Sequence, residues 1–163
     1  MTDRVSRRSL LAGASSVATV SVAGCLGGYS TEEWSYSGTL SATAHQYNSP
    51  NCGCCGAYEE YLDDHLEGSL SSSVPEDVTT VKTDLGIPDD LHSCHTVEVG
   101  SYFAEGHIPV ETLAKLLEDE PNVAGIALPG MPAGSPGMGG EKDRTWTVYA
   151  VSGEGAIEPF VEL

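Results

Sequence analysis

Three cysteines fall within four residues, Cys52, Cys54 and Cys55 in Asn51-Cys-Gly-Cys-Cys-Gly56, and their flanks leave this stretch few ways to fold. Upstream, Leu40-Ser-Ala-Thr-Ala-His-Gln-Tyr47 alternates and is β-compatible, which predicts a strand ending at the turn Asn48-Ser-Pro-Asn51. Downstream, from Ala57 to Leu66, Tyr58, Tyr61, Leu62 and Leu66 recur at helical spacing, and Gly68 can stop the helix. The thiols therefore occupy a strand-to-helix junction, with Cys52 to Cys55 at the helix N-terminus. Free N–H groups and the partial positive charge there favour thiolates.

The rest of the chain alternates the same two periods. Val78-Thr-Thr-Val-Lys82 and Val97-Glu-Val-Gly-Ser-Tyr-Phe103 read as strands, separated by turn residues Gly86, Pro88, Asp89 and Asp90. Pro109 opens a helix whose Val110, Leu113, Leu116 and Leu117 form an apolar stripe, and Pro121 stops it. A strand over 124–128, a long Gly/Pro loop and a strand over 145–151 follow. Strands interleaved with helices predict an α/β or α+β domain with an aliphatic core.

The N-terminus carries an address. Ser6-Arg7-Arg8-Ser-Leu-Leu11 precedes an uncharged apolar run from Leu10 to Ala23 that ends in Val22-Ala-Gly-Cys25. The run is too short for a permanent membrane span, so it reads as a targeting segment. Arg7 and Arg8 resemble a twin-arginine export signal, and the last four residues resemble a lipoprotein box in which Cys25 becomes the lipid-bearing first residue. The expected organisation is a signal over 1–24, a lipid-anchored tether over 25–38 and one domain over 39–163. The Gly/Ser-rich tether would reach roughly 20 Å. The expected location is the outer face of the cytoplasmic membrane, with the bilayer as partner through the lipid on Cys25.

Charge excludes one class of partner. The formal net charge is −17, and removing the leader takes Arg4, Arg7 and Arg8 with it, so binding to nucleic acid through phosphate neutralisation is not expected. The acid is spread along the whole chain, similar to the carboxylate-rich surfaces of salt-loving organisms, rather than gathered into one patch.

Besides Cys25, the thiols are Cys52, Cys54, Cys55 and, in Ser93-Cys-His95, Cys94. Three readings compete. An even count outside the cytosol permits structural disulfides. Cys52 and Cys55 form a C-x-x-C pair in the setting of a thioredoxin-like redox motif, which suits a thiol–disulfide oxidoreductase but leaves Cys54, Cys94 and His95 without a role. A soft-metal site uses all four sulfurs, with Cu(I) the ion that thiolate and thioether select and Zn(II) the competitor. His95 adjoins Cys94, but in extended chain neighbouring side chains point apart unless a turn intervenes. His107, in the turn Gly106-His-Ile-Pro109, is a better second candidate than His92, His65 or His45. Met131 and Met138 lie in Pro129-Gly-Met-Pro-Ala-Gly-Ser-Pro-Gly-Met-Gly-Gly140, a loop where a core role is not expected and where two methionines suit thioether ligands or a flexible lid, with a plain surface loop as the alternative.

Four blocks, Tyr47-Asn-Ser-Pro-Asn-Cys-Gly-Cys-Cys-Gly56, Ser93-Cys-His-Thr96, Glu105-Gly-His-Ile-Pro109 and Leu128-Pro-Gly-Met-Pro-Ala-Gly-Ser-Pro-Gly-Met138, resemble in order the signatures of domain-of-unknown-function family 411, which includes CopG-like copper-resistance proteins. The resemblance runs from about Thr39 to Val151. It implies an α/β, thioredoxin-like fold, a small mixed sheet flanked by helices, and extracytoplasmic copper handling. It also implies Cys52, Cys54, Cys55 and Cys94 as copper ligands, supported by His95, His107, Met131 and Met138. Copper-transport or copper-oxidase proteins are the partners such a role implies. The Ser-rich stretch 69–73 and the tail from Ser152 read as peripheral, and no catalytic residue is assigned.

Overall fold

The computed structural model describes residues 38–163. The expected signal with Arg7 and Arg8, the lipidation position Cys25 and nearly all of the tether lie outside the described residues. Among the described residues no helix is long and apolar enough to cross a membrane.

The chain runs β1 (Ala44–Asn48), α1 (Cys55–Asp63), β2 (Leu70–Ser73), α2 (Val78–Asp84), a 3₁₀ turn (Asp89–Leu91), β3 (His95–Val99), β4 (Tyr102–Glu105), α3 (Val110–Asp119), β5 (Gly125–Ala127), β6 (Thr147–Val151) and β7 (Ile157–Glu162). One seven-stranded sheet holds the strands in the order β2-β1-β3-β4-β5-β6-β7. The pairs β1–β2 and β4–β5 are parallel, and the remaining pairs are antiparallel. The mixed α/β class is as expected. The βαβ unit leading through α2 into the antiparallel pair β3–β4 accords with the thioredoxin-like reading, and β5 to β7 widen the sheet beyond it.

Period-two alternation gives the sheet two buried faces. Val97, Val99, Ala104, Ile126 and Val148 face the larger core, which Tyr58, Tyr61 and Leu62 of α1 and Leu113 and Leu116 of α3 complete. Phe103, Ala127 and Val151 face the other way, against Ile87 and Leu91 from the segment after α2.

Two local readings are corrected, and two segments read as peripheral form the edge strands of the sheet. Val78-Thr-Thr-Val-Lys82 is helix, although its β-branched residues favour a strand. Asp77 caps it, accepting from Thr79 N at 2.8 Å, Thr80 N at 3.4 Å and the Thr80 hydroxyl, and that capping outweighs a weak intrinsic preference. The stretch 97–103 is a hairpin: Val99 pairs with Tyr102 across Gly100-Ser101, and Gly100 supplies φ +60°. The Ser-rich stretch is the edge strand β2, paired to β1. The tail from Ser152 returns as β7, paired to β6.

Candidate metal centre

The site forms where β1 and β4 end and α1 and β3 begin. β1 runs into the turn holding Asn51 at φ 59°, and α1 begins at Cys55 with Cys54 as its N-cap residue. Gln46, fully buried on β1, donates from Nε2 to the Cys55 carbonyl at 3.0 Å and so ties the first helical turn to the sheet. Cys94 precedes β3, and Ser49 N donates to its carbonyl at 3.0 Å, which brings the second thiol loop against the first.

The C-x-x-C pair is a disulfide, Cys52–Cys55, with Cα atoms 5.5 Å apart, while Cys54 and Cys94 are free. The four sulfurs all lie within 4.8 Å of one another. Cys54 Sγ is 3.7 Å from Cys52 Sγ and 3.5 Å from Cys94 Sγ. Cys55 Sγ approaches the Cys94 carbonyl oxygen to 3.6 Å, a contact without a hydrogen bond because a disulfide sulfur has no proton to donate. Cys94 is the hub: His95 Nδ1 and His107 Nε2 each lie 3.3 Å from its sulfur. The adjacent pair Cys94-His95 thus converges, because the bend entering β3 breaks the extended geometry that would have separated the two side chains.

Both imidazoles are fully buried, and burial pushes both below the ordinary histidine value. For His95 the neighbouring His107 and Lys82 add to burial; for His107 the Pro136 carbonyl works against it. His107 Nδ1 is 2.6 Å from that carbonyl, which can only accept. The proton of neutral His107 therefore sits on Nδ1, and the Nε2 lone pair faces Cys94. A ring nitrogen aimed by a hydrogen bond on its opposite edge is how proteins present a histidine to a metal. His95 Nε2 is buried without a hydrogen-bond partner. The Cys94 thiol is pushed up to about 12, by burial first and then by Cys54, so Cys94 stays protonated until something displaces its proton.

Tyr58 was not singled out by its sequence context beyond the helical stripe. Its ring, fully buried, lies 4.5 Å from the His95 ring and 5.4 Å from that of His107, and its hydroxyl donates to Ile108 O at 2.8 Å. The methionine loop reaches the site at one end: Pro136 binds His107, and Gly137 rests on the Tyr58 backbone. Met138 follows at once, half-buried. Met131, at the other end of the loop, is exposed with φ 46°. The other histidines are engaged elsewhere, His45 with Ser71 and Ser73, His65 with Tyr61 O and His92 with Ile87 O.

Two free thiols and two neutral imidazoles make a soft, nitrogen- and sulfur-rich donor set capable of binding a metal ion, and reduction of the adjacent disulfide would add two more sulfurs. Residues 91–138 match the family described as "Protein of unknown function, DUF411". The search of curated proteins finds no match. Among solved structures, "Copper resistance protein copG- Form 2" is similar at 31% identity and a TM-score of 0.68, covering 76% of this chain and 99% of that one. "Copper resistance protein copG- Form 1" is similar at 32% identity and a TM-score of 0.66, covering 74% and 96%.

Proposed function

The chain belongs to the DUF411 family of CopG-like proteins, and from that membership we propose that it binds copper as cargo, holding Cu(I) on clustered sulfurs and either sequestering it or passing it on. The observation that carries the reading is Cys94 Sγ, with Cys54 Sγ, His95 Nδ1 and His107 Nε2 all within 3.5 Å. Thiolates select Cu(I), and Zn(II) is the competitor because it accepts the same ligands in tetrahedral geometry. With Cys52 and Cys55 oxidised, Cys54, Cys94, His95 and His107 supply the donors. Two electrons and two protons delivered to the disulfide give two more thiols and a four-sulfur site. Met138, beside the residues that touch the site, offers a further thioether, and Met131 would join only if the loop moved. Cargo of this kind suits an exported protein held at the outer face of the cytoplasmic membrane through Cys25, exchanging copper with transport or oxidase proteins. Mass spectrometry of the mature N-terminus checks the anchor, and an unmodified Met1 would refute it.

The deciding experiment is anaerobic loading of the reduced protein with Cu(I), in parallel with Zn(II), followed by metal analysis and a thiol count. Tightly held Cu(I) that falls in stoichiometry when Cys54 or Cys94 is replaced by Ser supports the proposal.

A second reading rests on the disulfide itself. Cys52–Cys55 joins a C-x-x-C pair at a helix N-terminus, the arrangement of a thiol–disulfide oxidoreductase. In that case the protein retains no metal, Cys52 and Cys55 cycle reversibly, and replacing Cys54 or Cys94 leaves the cycling intact.

A further inference from the structure

Lys82, Lys115, Lys142 and Arg144 are the lysines and arginines of the described residues, and Lys82 is buried. Its ammonium is paired with the equally buried Glu105 and donates to Thr96 Oγ1 at 2.9 Å. Glu105 is the common acceptor. Its Oε1 takes the Ser93 N–H at 2.5 Å as well as the ammonium, and its Oε2 takes the Thr96 hydroxyl. Ser93 and Thr96 bracket the dipeptide Cys94-His95. One carboxylate therefore grips the backbone before the hub thiol and the side chain after its neighbouring imidazole. Just past Glu105, Gly106 N donates to His95 O at 3.1 Å, and His107 comes next. A buried ion pair contributes little net stability compared with an apolar pair of similar volume, so stability alone does not account for burying a scarce cation at this point.

We propose that Lys82 and Glu105 are positioning residues for the metal centre. Glu105 holds Cys94 and His95 in converging geometry through Ser93 and Thr96, and Lys82 neutralises and orients the carboxylate. Neither touches the metal. The inference deepens the copper reading and rests on it.

Two double variants of the full chain separate the grip from the charge. Lys82→Met with Glu105→Leu removes both charges and both acceptors. Lys82→Met with Glu105→Gln removes both charges but keeps an amide carbonyl for Ser93 N–H. Neither leaves a lone buried charge, and circular dichroism with a thermal melt checks that each folds. Two quantities are read: Cu(I) affinity by competition with a chromophoric chelator, and the rate of iodoacetamide labelling of Cys94 against Cys54 in the metal-free protein at one fixed pH. The Leu double should bind Cu(I) about tenfold more weakly or worse and label Cys94 about tenfold faster, while the Gln double stays within about threefold of the parent on both counts. If the Leu double does not fold, Thr96→Val, which removes one grip alone, should shift labelling of Cys94 but not of Cys54. Equal behaviour of the two doubles, or parental labelling and affinity in a folded Leu double or in Thr96→Val, would overturn the proposal. Should the parent hold no Cu(I), the copper reading fails, and the labelling ratio still decides whether the grip exists.

Discussion

Three glycines of the methionine loop, each changed to alanine, measure how tightly the loop is seated on α1. A Cβ at Gly139 meets nothing within 4 Å, so Gly139→Ala should be neutral or stabilise by a few tenths of a kcal/mol to about 1 kcal/mol through the unfolded chain. Gly130 has φ +84° with equally open surroundings, so Gly130→Ala isolates the left-handed backbone and should cost about 1–2 kcal/mol. Gly137 combines φ +73° with a Cβ position 2.7 Å from Tyr58 N and 2.9 Å from Tyr58 Cα. Those atoms belong to the backbone of the first turn of α1, at the buried Tyr58, and cannot swing aside. Overpacking of that kind adds about 1–3 kcal/mol, so Gly137→Ala should cost about 2–5 kcal/mol in all, unless the loop lifts. Thermal unfolding of the three metal-free variants, at about 3–6 °C per kcal/mol for a domain of this size, places Gly137→Ala at least several degrees below Gly130→Ala. Lifting would show differently: the Pro136 carbonyl would leave His107 Nδ1, so Cu(I) affinity would fall instead of the melting temperature. A Gly137→Ala protein that melts with Gly139→Ala and binds copper like the parent would refute the seating of the loop.

Two further outcomes follow from the buried rings. Folding lowers the proton affinity of His95 and His107, so below about pH 6.5 the unfolded chain binds more protons than the folded one, and stability must fall with acid. Melting of the metal-free protein should hardly change between about pH 8 and 7 and then decline towards pH 5, by at most about 1.4 kcal/mol per pH unit for each histidine; a flat profile would contradict the buried neutral imidazoles. Tyr58→Phe keeps the ring between the two histidines and strands the Ile108 carbonyl, which should cost about 1–3 kcal/mol with Cu(I) affinity unchanged. Chemical denaturation checks it, and an unaltered midpoint would count against that bond.

Much of the architecture is legible because its signals are local. The stripe of Tyr58, Tyr61 and Leu62 and that of Val110, Leu113 and Leu116 mark α1 and α3, and the thiol cluster does sit where a strand gives way to a helix. The α2 segment reads as a strand because β-branched residues dominate it, while the decisive group, the Asp77 carboxylate, is a single polar atom pair just outside the run. β2 and β7 carry no alternation of buried apolar residues, being edge strands with mostly half-exposed or exposed side chains. At the site, the candidate thiols and His107 are visible as residues, but the central place of Cys94 is not, since nothing periodic links it to Cys54 or His107. Lys82 and Glu105 were invisible for another reason: charged residues are ordinarily assigned to the surface, and only the fold shows that these two neutralise each other inside it.

The partners that meet at Cys94 come from distant parts of the chain. Cys54 is 40 residues away and His107 is 13, while His107 and the carbonyl that orients it are separated by 29. Cys52 and Cys55, three residues apart, need no such topology. Loop-closure entropy makes the long-range approaches costly until the sheet has paid it. During refolding, therefore, the C-x-x-C pair can meet early, whereas the hub exists only once β1, β3 and β4 are aligned. A metal that used the hub would bind the folded chain more tightly than its precursors, so loading should pull the folding equilibrium forward by an amount that grows with the logarithm of free metal over its dissociation constant and shrinks with any binding to the local Cys52-Gly-Cys-Cys55 run in the unfolded chain.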